Sequence, residues 1–253
     1  MSTLGIEGVY HVYMKWSPTA DVVSDTAIGR THLTFRNRQN ADEFYRFLTT
    51  STDTTGKNPL FSLLVRNGPQ FWYFDVTPYA GVNWELPRYI LQWNPQWGAK
   101  VLLTLMNDWN GRVQDIIPTQ ATTEWVNGGA YFIKSTNLQT EFWHSNGGLI
   151  TISNTDRTKF VVRAVAFTSD DRQVLIRTDK ITIELAADAS TANPIYVTLP
   201  SGTSRLGFSS EPYQWTFNDF FASLGIERHT NSNNVWERVV DHSPGTSVVW
   251  DLV

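Results

Sequence analysis

The sequence predicts a mainly β protein, an antiparallel sandwich or open barrel with two short helices packed on it. Three observations lead to this fold class: Asn-Gly pairs recur between apolar segments, many segments alternate apolar and polar residues, and the connections are short. Asn and Gly tolerate the positive φ of tight hairpin turns, and strict alternation is typical of strands with one buried face. Short connections favour antiparallel neighbours, because parallel strands need long crossovers.

The segment from Trp93 to Gly148 shows the hairpin pattern most clearly. It contains five of the 11 tryptophans of the chain, and Trp109, Trp125 and Trp143 each stand close to an Asn-Gly pair. The apolar runs beside these turns are Val101–Met106, Ala130–Ile133 and Leu149–Ile152. We therefore predict a meander of antiparallel hairpins over this part of the chain.

The residues before this segment are predicted to form strands and one helix. The strands are expected at Gly8–Trp16, Ile28–Arg36, Leu60–Val65, Gln70–Val76 and Tyr89–Trp93. The helix is expected to begin at Asn40, because Glu43 follows three residues later, as in a capping box. Phe71–Phe74 is apolar on both faces, which predicts a central strand that is covered on both sides.

The residues after this segment are predicted to form further strands and a second helix. The strands are expected at Lys159–Phe167, Gln173–Arg177, Lys180–Leu185, Ile195–Leu199 and Val248–Val253, the first two as one long hairpin. The helix is expected between Thr216, a capping residue with Asp219 three positions later, and Gly225. The 253 residues fit a single domain over 1–253, and the alternative is two halves with a loop near 186–193.

The composition excludes several classes of function. The formal charge is 20 − 24 = −4 and no Lys/Arg-rich run occurs, so nucleic acid is not an expected partner. Because cysteine is absent, disulfides, zinc–thiolate sites and thiol nucleophiles are excluded. The five histidines lack metal-ligand spacing, and no nucleotide-binding or nucleophilic-serine motif is present, so neither a metal nor a cofactor is expected.

The location of the protein is predicted from two absences in the sequence. No apolar run reaches transmembrane length, so we expect no membrane span. The N-terminus lacks the basic and apolar regions of a signal peptide. We therefore expect a cytoplasmic protein, or one that is released without a signal peptide.

The Trp-rich turns favour carbohydrate recognition, because the C–H faces of sugars stack on aromatic rings and their hydroxyls need polar partners. We expect a non-catalytic, lectin-like protein, of a toxin or defence type, with a glycan or glycoconjugate as its partner. Its ligand-binding residues would be Trp109, Asn110, Trp125, Asn127, Trp143, His144 and Asn146. This hypothesis requires Trp rings that are partly open to water. The alternative is that each Trp packs in the core and Asn-Gly only shapes the turn.

Two further classes of function stay open. Glu124 and Glu141 stand just before Trp125 and Trp143, and a glycoside hydrolase needs a pair of carboxylates beside aromatic platforms. The simpler interpretation is that both carboxylates are solvated at strand edges. The third class is a structural or assembly subunit, of a particle or a toxin complex, whose aromatic and Arg-rich surface forms the interfaces of a homo-oligomer.

Overall fold

The computed structural model describes most of the chain, and it divides the chain into two compact units, Thr3–Glu124 and Trp125–Val253. The described residues are 9–17, 29–53, 55–78, 85–106, 118–168, 171–186, 193–231, 234–241 and 248–253. The division falls between Glu124 and Trp125, whereas the sequence placed the alternative boundary near 186–193. Most of that predicted loop, residues 187–192, lies outside the described residues.

The prediction of a mainly β fold with short helices is confirmed. The first unit contains one five-stranded sheet, and the second contains a closed barrel of seven strands with further strands beside it. The described residues contain three α-helices, one more than the sequence predicted. No helix in the described part of the chain is long and apolar enough to cross a membrane.

The sheet of the first unit is mixed. Its strands are β1 (Tyr10–Trp16), β2 (Arg30–Phe35), β3 (Phe61–Arg66), β4 (Phe71–Val76) and β5 (Val101–Met106). They lie in the order β3-β4-β1-β2-β5, in which β1 and β4 are parallel and the other neighbours are antiparallel. The unit also contains two α-helices and a 3₁₀ helix, which are α1 (Arg38–Thr49), α2 (Leu86–Trp93) and Pro95–Trp97. The predicted hairpin of β3 and β4 is confirmed.

Helix α1 packs on one face of this sheet through aromatic contacts. The Phe44 ring lies 5.7 Å from that of Phe35, and the Tyr45 ring lies 5.1 Å from that of Trp72. The capping residue lies three residues before the predicted Asn40. Asn37 is the capping residue, because its side chain accepts a hydrogen bond from the Asn40 backbone N–H at 3.0 Å.

Two sequence predictions are wrong in the first unit. Tyr89–Trp93 is part of helix α2 and not a strand; its buried residues Leu86 and Ile90 are four positions apart, and Pro87 suits the first turn of a helix. Strand β4 is not covered on both faces, because Phe71 is 46% exposed although Trp72 and Phe74 are buried. In the folded protein, one face of this strand is therefore buried and the other is partly exposed to solvent.

The second unit is built around the seven-stranded barrel. Its strands and helix are β6 (Gly129–Ser135), β7 (Phe142–Asn146), β8 (Leu149–Ser153), β9 (Lys159–Ala164), β10 (Lys180–Leu185), β11 (Tyr196–Thr198), β12 (Gly207–Ser209), β13 (Trp215–Thr216), α3 (Asp219–Ala222), β14 (Leu224–Asn231), β15 (Asn234–Asp241) and β16 (Trp250–Leu252). The barrel runs β12-β11-β10-β9-β6-β7-β8, and it closes where Gly207 pairs with Leu149. All its pairings are antiparallel. The hairpin β14–β15 continues from β8, β13 pairs with β10, and β16 pairs with β6.

Large apolar side chains fill the core of the second unit. Trp143 has no exposed surface, and its ring lies 5.7 Å from Trp250, 5.8 Å from Phe160 and 6.0 Å from Phe220. Strand alternation sends every second residue inward, so β7 contributes Trp143 to this core while its neighbours in the sequence point outward. These ring contacts make Trp143 a central part of the core.

One prediction is wrong in this unit, and the second predicted helix is present but shorter than expected. Gln173–Arg177 does not form a hairpin with β9; the segment makes one isolated bridge, between Val174 and Val126, and β9 pairs instead with β6 and β10. The second helix is a single turn that follows Asn218, and Gly225 lies inside β14. Asp219 accepts a hydrogen bond from the Thr216 backbone N–H at 2.7 Å, which ties this turn to β13, and β14 begins at Leu224, two residues after the turn.

Replacing Trp143 by Ala should lower the free energy of unfolding of the second unit by about 3 to 5 kcal/mol, because a fully buried ring is lost from a packed core. Tyr213→Ala is the control in the same unit, since that ring is 36% exposed. It should cost less than about 1 kcal/mol. Urea unfolding followed by circular dichroism measures both values. Equal losses in the two variants would contradict the central position of Trp143.

Candidate functional site

The two described tryptophans of the predicted ligand site are core residues. Trp125 is 4% exposed and donates its indole N–H to the backbone oxygen of Leu252 at 3.0 Å, and Trp143 is 0% exposed. The carbohydrate hypothesis required these rings to be partly open to water, and this prediction is wrong for both. Both rings are buried in the core of the second unit. Trp109 and Asn110 lie outside the described residues. The ligand-binding role of the predicted set stays a prediction.

Asn127, which was predicted to bind ligand, is buried. Its side-chain N–H groups donate to the backbone oxygens of Thr168 and Asp171, both at 2.8 Å, and its side-chain oxygen accepts from the Ala164 backbone N–H at 2.8 Å. All its polar atoms are thus satisfied by the backbone of other segments. The residue holds the connection after β9 in place, and it presents nothing to a ligand.

Asn146 is exposed at the tip of the predicted hairpin, and this hairpin is confirmed. Strands β7 and β8 are joined by Gly147 and Gly148, whose φ values are 58° and 82°. Two successive positive φ values are typical of the tight turn that matches the twist of a hairpin. Asn146 pairs with Leu149 across the turn, so the turn also fixes the register of both strands.

The residues on either side of Trp143 face away from the core. Phe142 and His144 are half-buried on the outer side of β7, as the alternation of a strand requires. The neighbouring strand β6 places Phe132 and Lys134 on the same side, and Lys134 pairs directly with Phe142. Arg157 and Lys159 lie on the other side of β6. Lys159 is the first residue of β9, and Arg157 precedes it by two residues. We call these residues the aromatic–cationic face: Phe132, Lys134, Phe142, His144, Arg157 and Lys159.

Cation–π contacts organise the aromatic–cationic face. The Arg157 guanidinium lies 4.4 Å from the Phe132 ring centroid, and the Lys159 ammonium lies 5.2 Å from the same centroid. The Phe142 ring meets Phe132 edge to face, with centroids 6.5 Å apart. Its two nearest cations, Arg157 and Lys134, are 5.8 and 5.9 Å away. The cations therefore lie closer to Phe132 than to Phe142.

His144 adds a polar group at the edge of this face. Its Nδ1 lies 3.4 Å from the Thr158 hydroxyl, which also accepts a hydrogen bond from the Ser145 backbone N–H at 3.0 Å. Within the described part of the chain, its Nε2 makes no hydrogen bond. The imidazole is thus oriented through one nitrogen, and the other is available for a ligand hydroxyl.

The two carboxylates of the glycosidase alternative belong to different units. Glu124 is the last residue of the first unit, and the Arg66 Nε lies between its two oxygens at 3.0 and 2.9 Å. Arg66 also donates to Asp42 at 2.6 Å, so it links two carboxylates in a largely buried cluster. Burial raises the pKa of Glu124, and the Arg66 charge opposes that rise. Glu141 lies in the second unit, just before β7.

Sequence reasoning missed five of the six residues of the aromatic–cationic face; it named only His144. The alternation of β6 did place Phe132 and Lys134 on one side of a strand. What the sequence lacked was the register that sets Lys159 opposite Phe132 and Lys134 opposite Phe142. The signal that would have found them is an outward-facing aromatic residue next to a lysine or arginine on an adjacent strand.

The fold and site do not connect this chain to a known family. A scan against protein-family models finds no match, and no curated protein and no solved structure matches the chain. Among the described residues, no group of three or more histidine, aspartate or glutamate side chains is arranged to hold a metal ion. The function has to be argued from the chemistry of the described side chains.

Asn127→Ala should destabilise the second unit by about 3 kcal/mol, because it leaves buried backbone donors and acceptors of three residues without partners. Asn146→Ala is the matched control from the other Asn-Gly turn, and it should stay within about 0.5 kcal/mol of the unchanged chain. Urea midpoints of both variants provide the measurement. A small effect of Asn127→Ala would show that the three hydrogen bonds do not hold this connection.

The raised pKa of Glu124 predicts a pH dependence of stability in the first unit. The folded chain binds this proton more tightly than the unfolded chain, so the contribution to stability is full below the ordinary pKa of 4.5. It is lost as the pH rises through the folded-state pKa. In Glu124→Gln this part of the dependence should be absent. As the pH rises, the urea midpoint of the wild type should therefore fall relative to that of Glu124→Gln. A rise of the wild-type midpoint relative to the variant would mean that the Arg66 charge outweighs burial in setting the pKa of Glu124.

Proposed function

We propose that this protein is a non-catalytic, lectin-like glycan-binding protein whose site is the aromatic–cationic face of the barrel. The observation that carries the proposal is the pair Phe142 and His144, which lie on the outer side of β7 with the buried Trp143 between them. An aromatic ring and a polar imidazole are thereby held side by side on a strand whose other face is fixed in the core.

This arrangement matches what a sugar ring offers. The C–H face of a pyranose stacks on an aromatic ring, and its hydroxyls exchange hydrogen bonds with polar side chains at the edge. Phe142 supplies the ring, because its nearest cations lie 5.8 and 5.9 Å away, farther than the nearest cations of Phe132. His144 supplies the polar edge through its Nε2, and the exposed Asn146 lies further along the same strand.

A single shallow face of this kind binds weakly, so the proposal includes multivalency. Linked copies of a weak site gain affinity through effective concentration, as lectins and the receptor-binding parts of toxins do. A homo-oligomer, or a cell surface that displays many copies of the glycan, would supply that gain. The toxin or defence role expected from the sequence belongs to this proposal. The glycosidase alternative is not carried further, because Glu124 is engaged by Arg66 at 2.9 Å.

Phe142→Ala and His144→Ala should each weaken glycan binding by about 1 to 3 kcal/mol, the scale of a lost aromatic or polar contact. The loss corresponds to about 5- to 150-fold in Kd. A glycan array selects the best ligand, and calorimetric titration of that glycan measures the change. Stability should fall by only about 1 kcal/mol, because both side chains are half-exposed.

Tyr213→Ala is the control for this titration, since it removes another exposed ring of the same unit. It should leave the Kd unchanged. Absence of binding to every glycan on the array at millimolar concentration would overturn the proposed function. Binding that none of the variants weakens would move the site away from the aromatic–cationic face.

A further inference from the structure

We infer that the glycan carries an acidic group, a sulfate or a carboxylate, and that Arg157 and Lys159 hold this group above the Phe132 ring. The inference rests on the proposed function and adds the chemical class of the ligand. It is carried by a different observation from Phe142 and His144. Two cations converge on one aromatic ring, and within the described part of the chain neither has an ionic partner.

The two cations are held close together by the fold. Lys159 stands directly opposite Phe132 in the pairing of β9 with β6, and Arg157 lies two residues earlier in the connection that leads into β9. Their charged groups are 5.2 and 4.4 Å from the same ring centroid. Both residues are exposed. Among the described residues, no carboxylate oxygen lies within 4.0 Å of either charge.

Several other cations of the described residues contact a carboxylate, whereas Arg157 and Lys159 contact none there. On the same strand β9, Arg163 forms an ion pair with Glu184 at 3.0 Å. Elsewhere Arg66 and Lys100 each contact a carboxylate. A surface cation usually lies near an opposite charge or at a distance from other cations. Two like charges over one ring repel each other, and a bound anion relieves that repulsion.

The neighbouring acidic residues define where the anion would lie. Asp251 stands opposite Lys134 in the pairing of β16 with β6, so the Lys134 end of the face is the less cationic one. Asp156 accepts a hydrogen bond from the Thr155 hydroxyl at 2.8 Å and precedes Arg157 in the chain. Arg157 and Lys159 are nonetheless the two cations that lie near the same ring, so the anion would lie above Phe132, between them.

The chemistry of these groups suits an oxyanion of a sugar. A guanidinium presents a planar fork that binds sulfate or carboxylate through two parallel hydrogen bonds, and the lysine adds a mobile point charge. Phe132 removes water from one side of both cations, which strengthens their interaction with an anion. Phe142, 6.5 Å from Phe132, would take the sugar ring that bears the anion. Sulfate and carboxylate share this chemistry, and the experiment separates them.

A nucleic acid is the less favoured polyanion. Its backbone requires a continuous cationic track, and much of its affinity comes from several phosphate contacts. The chain has a formal charge of −4 and no Lys/Arg-rich run, and only two of the three cations of this face, Arg157 and Lys159, lie near the Phe132 ring. One acidic group on an otherwise neutral glycan fits this pair better.

The test compares four probes on the full chain by calorimetric titration at low and at physiological salt. The probes are a heparin oligosaccharide, the same oligosaccharide after desulfation with its uronic carboxylates kept, a neutral oligosaccharide of equal length, and a single-stranded DNA of equal charge. The variant is Arg157→Gln with Lys159→Gln. The control is Lys180→Gln with Arg205→Gln, which removes two exposed or solvent-facing charges from the same unit.

The inference predicts that at least one acidic oligosaccharide binds about tenfold or more tightly than the neutral one. The Arg157/Lys159 variant should lose about tenfold of that affinity, and the control variant should stay within about twofold. The salt dependence should fall in the Arg157/Lys159 variant alone. If only the heparin form binds tightly, the anion is sulfate; if the desulfated form binds as well, it is carboxylate.

Four other outcomes would overturn the inference. Tight binding of the neutral oligosaccharide with no loss in the Arg157/Lys159 variant would refute the acidic group but leave the glycan-binding function standing. Equal losses in the variant and in the control would mean attraction by general charge. DNA that binds more tightly than every oligosaccharide would replace the glycan with a nucleic acid, and absence of binding to all four probes, together with an empty glycan array, would remove the proposed function itself.

Discussion

The alternation of side chains along β7 is the constraint on which the rest of the second unit depends. Trp143 must lie inside, because the barrel core closes around its ring together with Phe160 and Trp250. Phe142 and His144 must then lie outside, since successive residues of a strand point to opposite faces. A slip of one residue would bury a histidine and expose the tryptophan. The same constraint therefore builds the core and fixes the candidate site.

Barrel closure sets which side chains meet on the outer face. Strand β6 pairs with β7 on one side and with β9 on the other, so Phe132 and Lys134 stand between Phe142 and Lys159. The closure of β12 onto β8 leaves this part of the sheet without a free edge. Apart from Arg157, which lies in the connection before β9, the residues of the aromatic–cationic face consequently lie on strands that are paired on both sides.

The sequence predicted the fold class and most strands, because apolar alternation and Asn-Gly turns are local signals. It did not predict whether each Trp-Asn-Gly turn is buried or exposed. Asn127 is buried by hydrogen bonds to segments about forty residues away, whereas Asn146 stays at an exposed tip. The local sequences of the two turns are alike, so backbone groups that are distant in the sequence determine which asparagine is buried and which is exposed. The candidate site needed the register between strands, which no single segment of the sequence contains.

Thiol labelling measures the central claim most directly, because the chain has no cysteine and each new one is a single probe. Cysteine would be placed in turn at Phe142, Trp143 and His144 on β7, and at Ile150 as a second inward position. Circular dichroism would establish that each variant is folded before labelling. The thiols at 142 and 144 should react at rates close to that of an exposed thiol, and those at 143 and 150 should be strongly protected. Protection at 142 and 144, with rapid labelling at 143, would contradict the account.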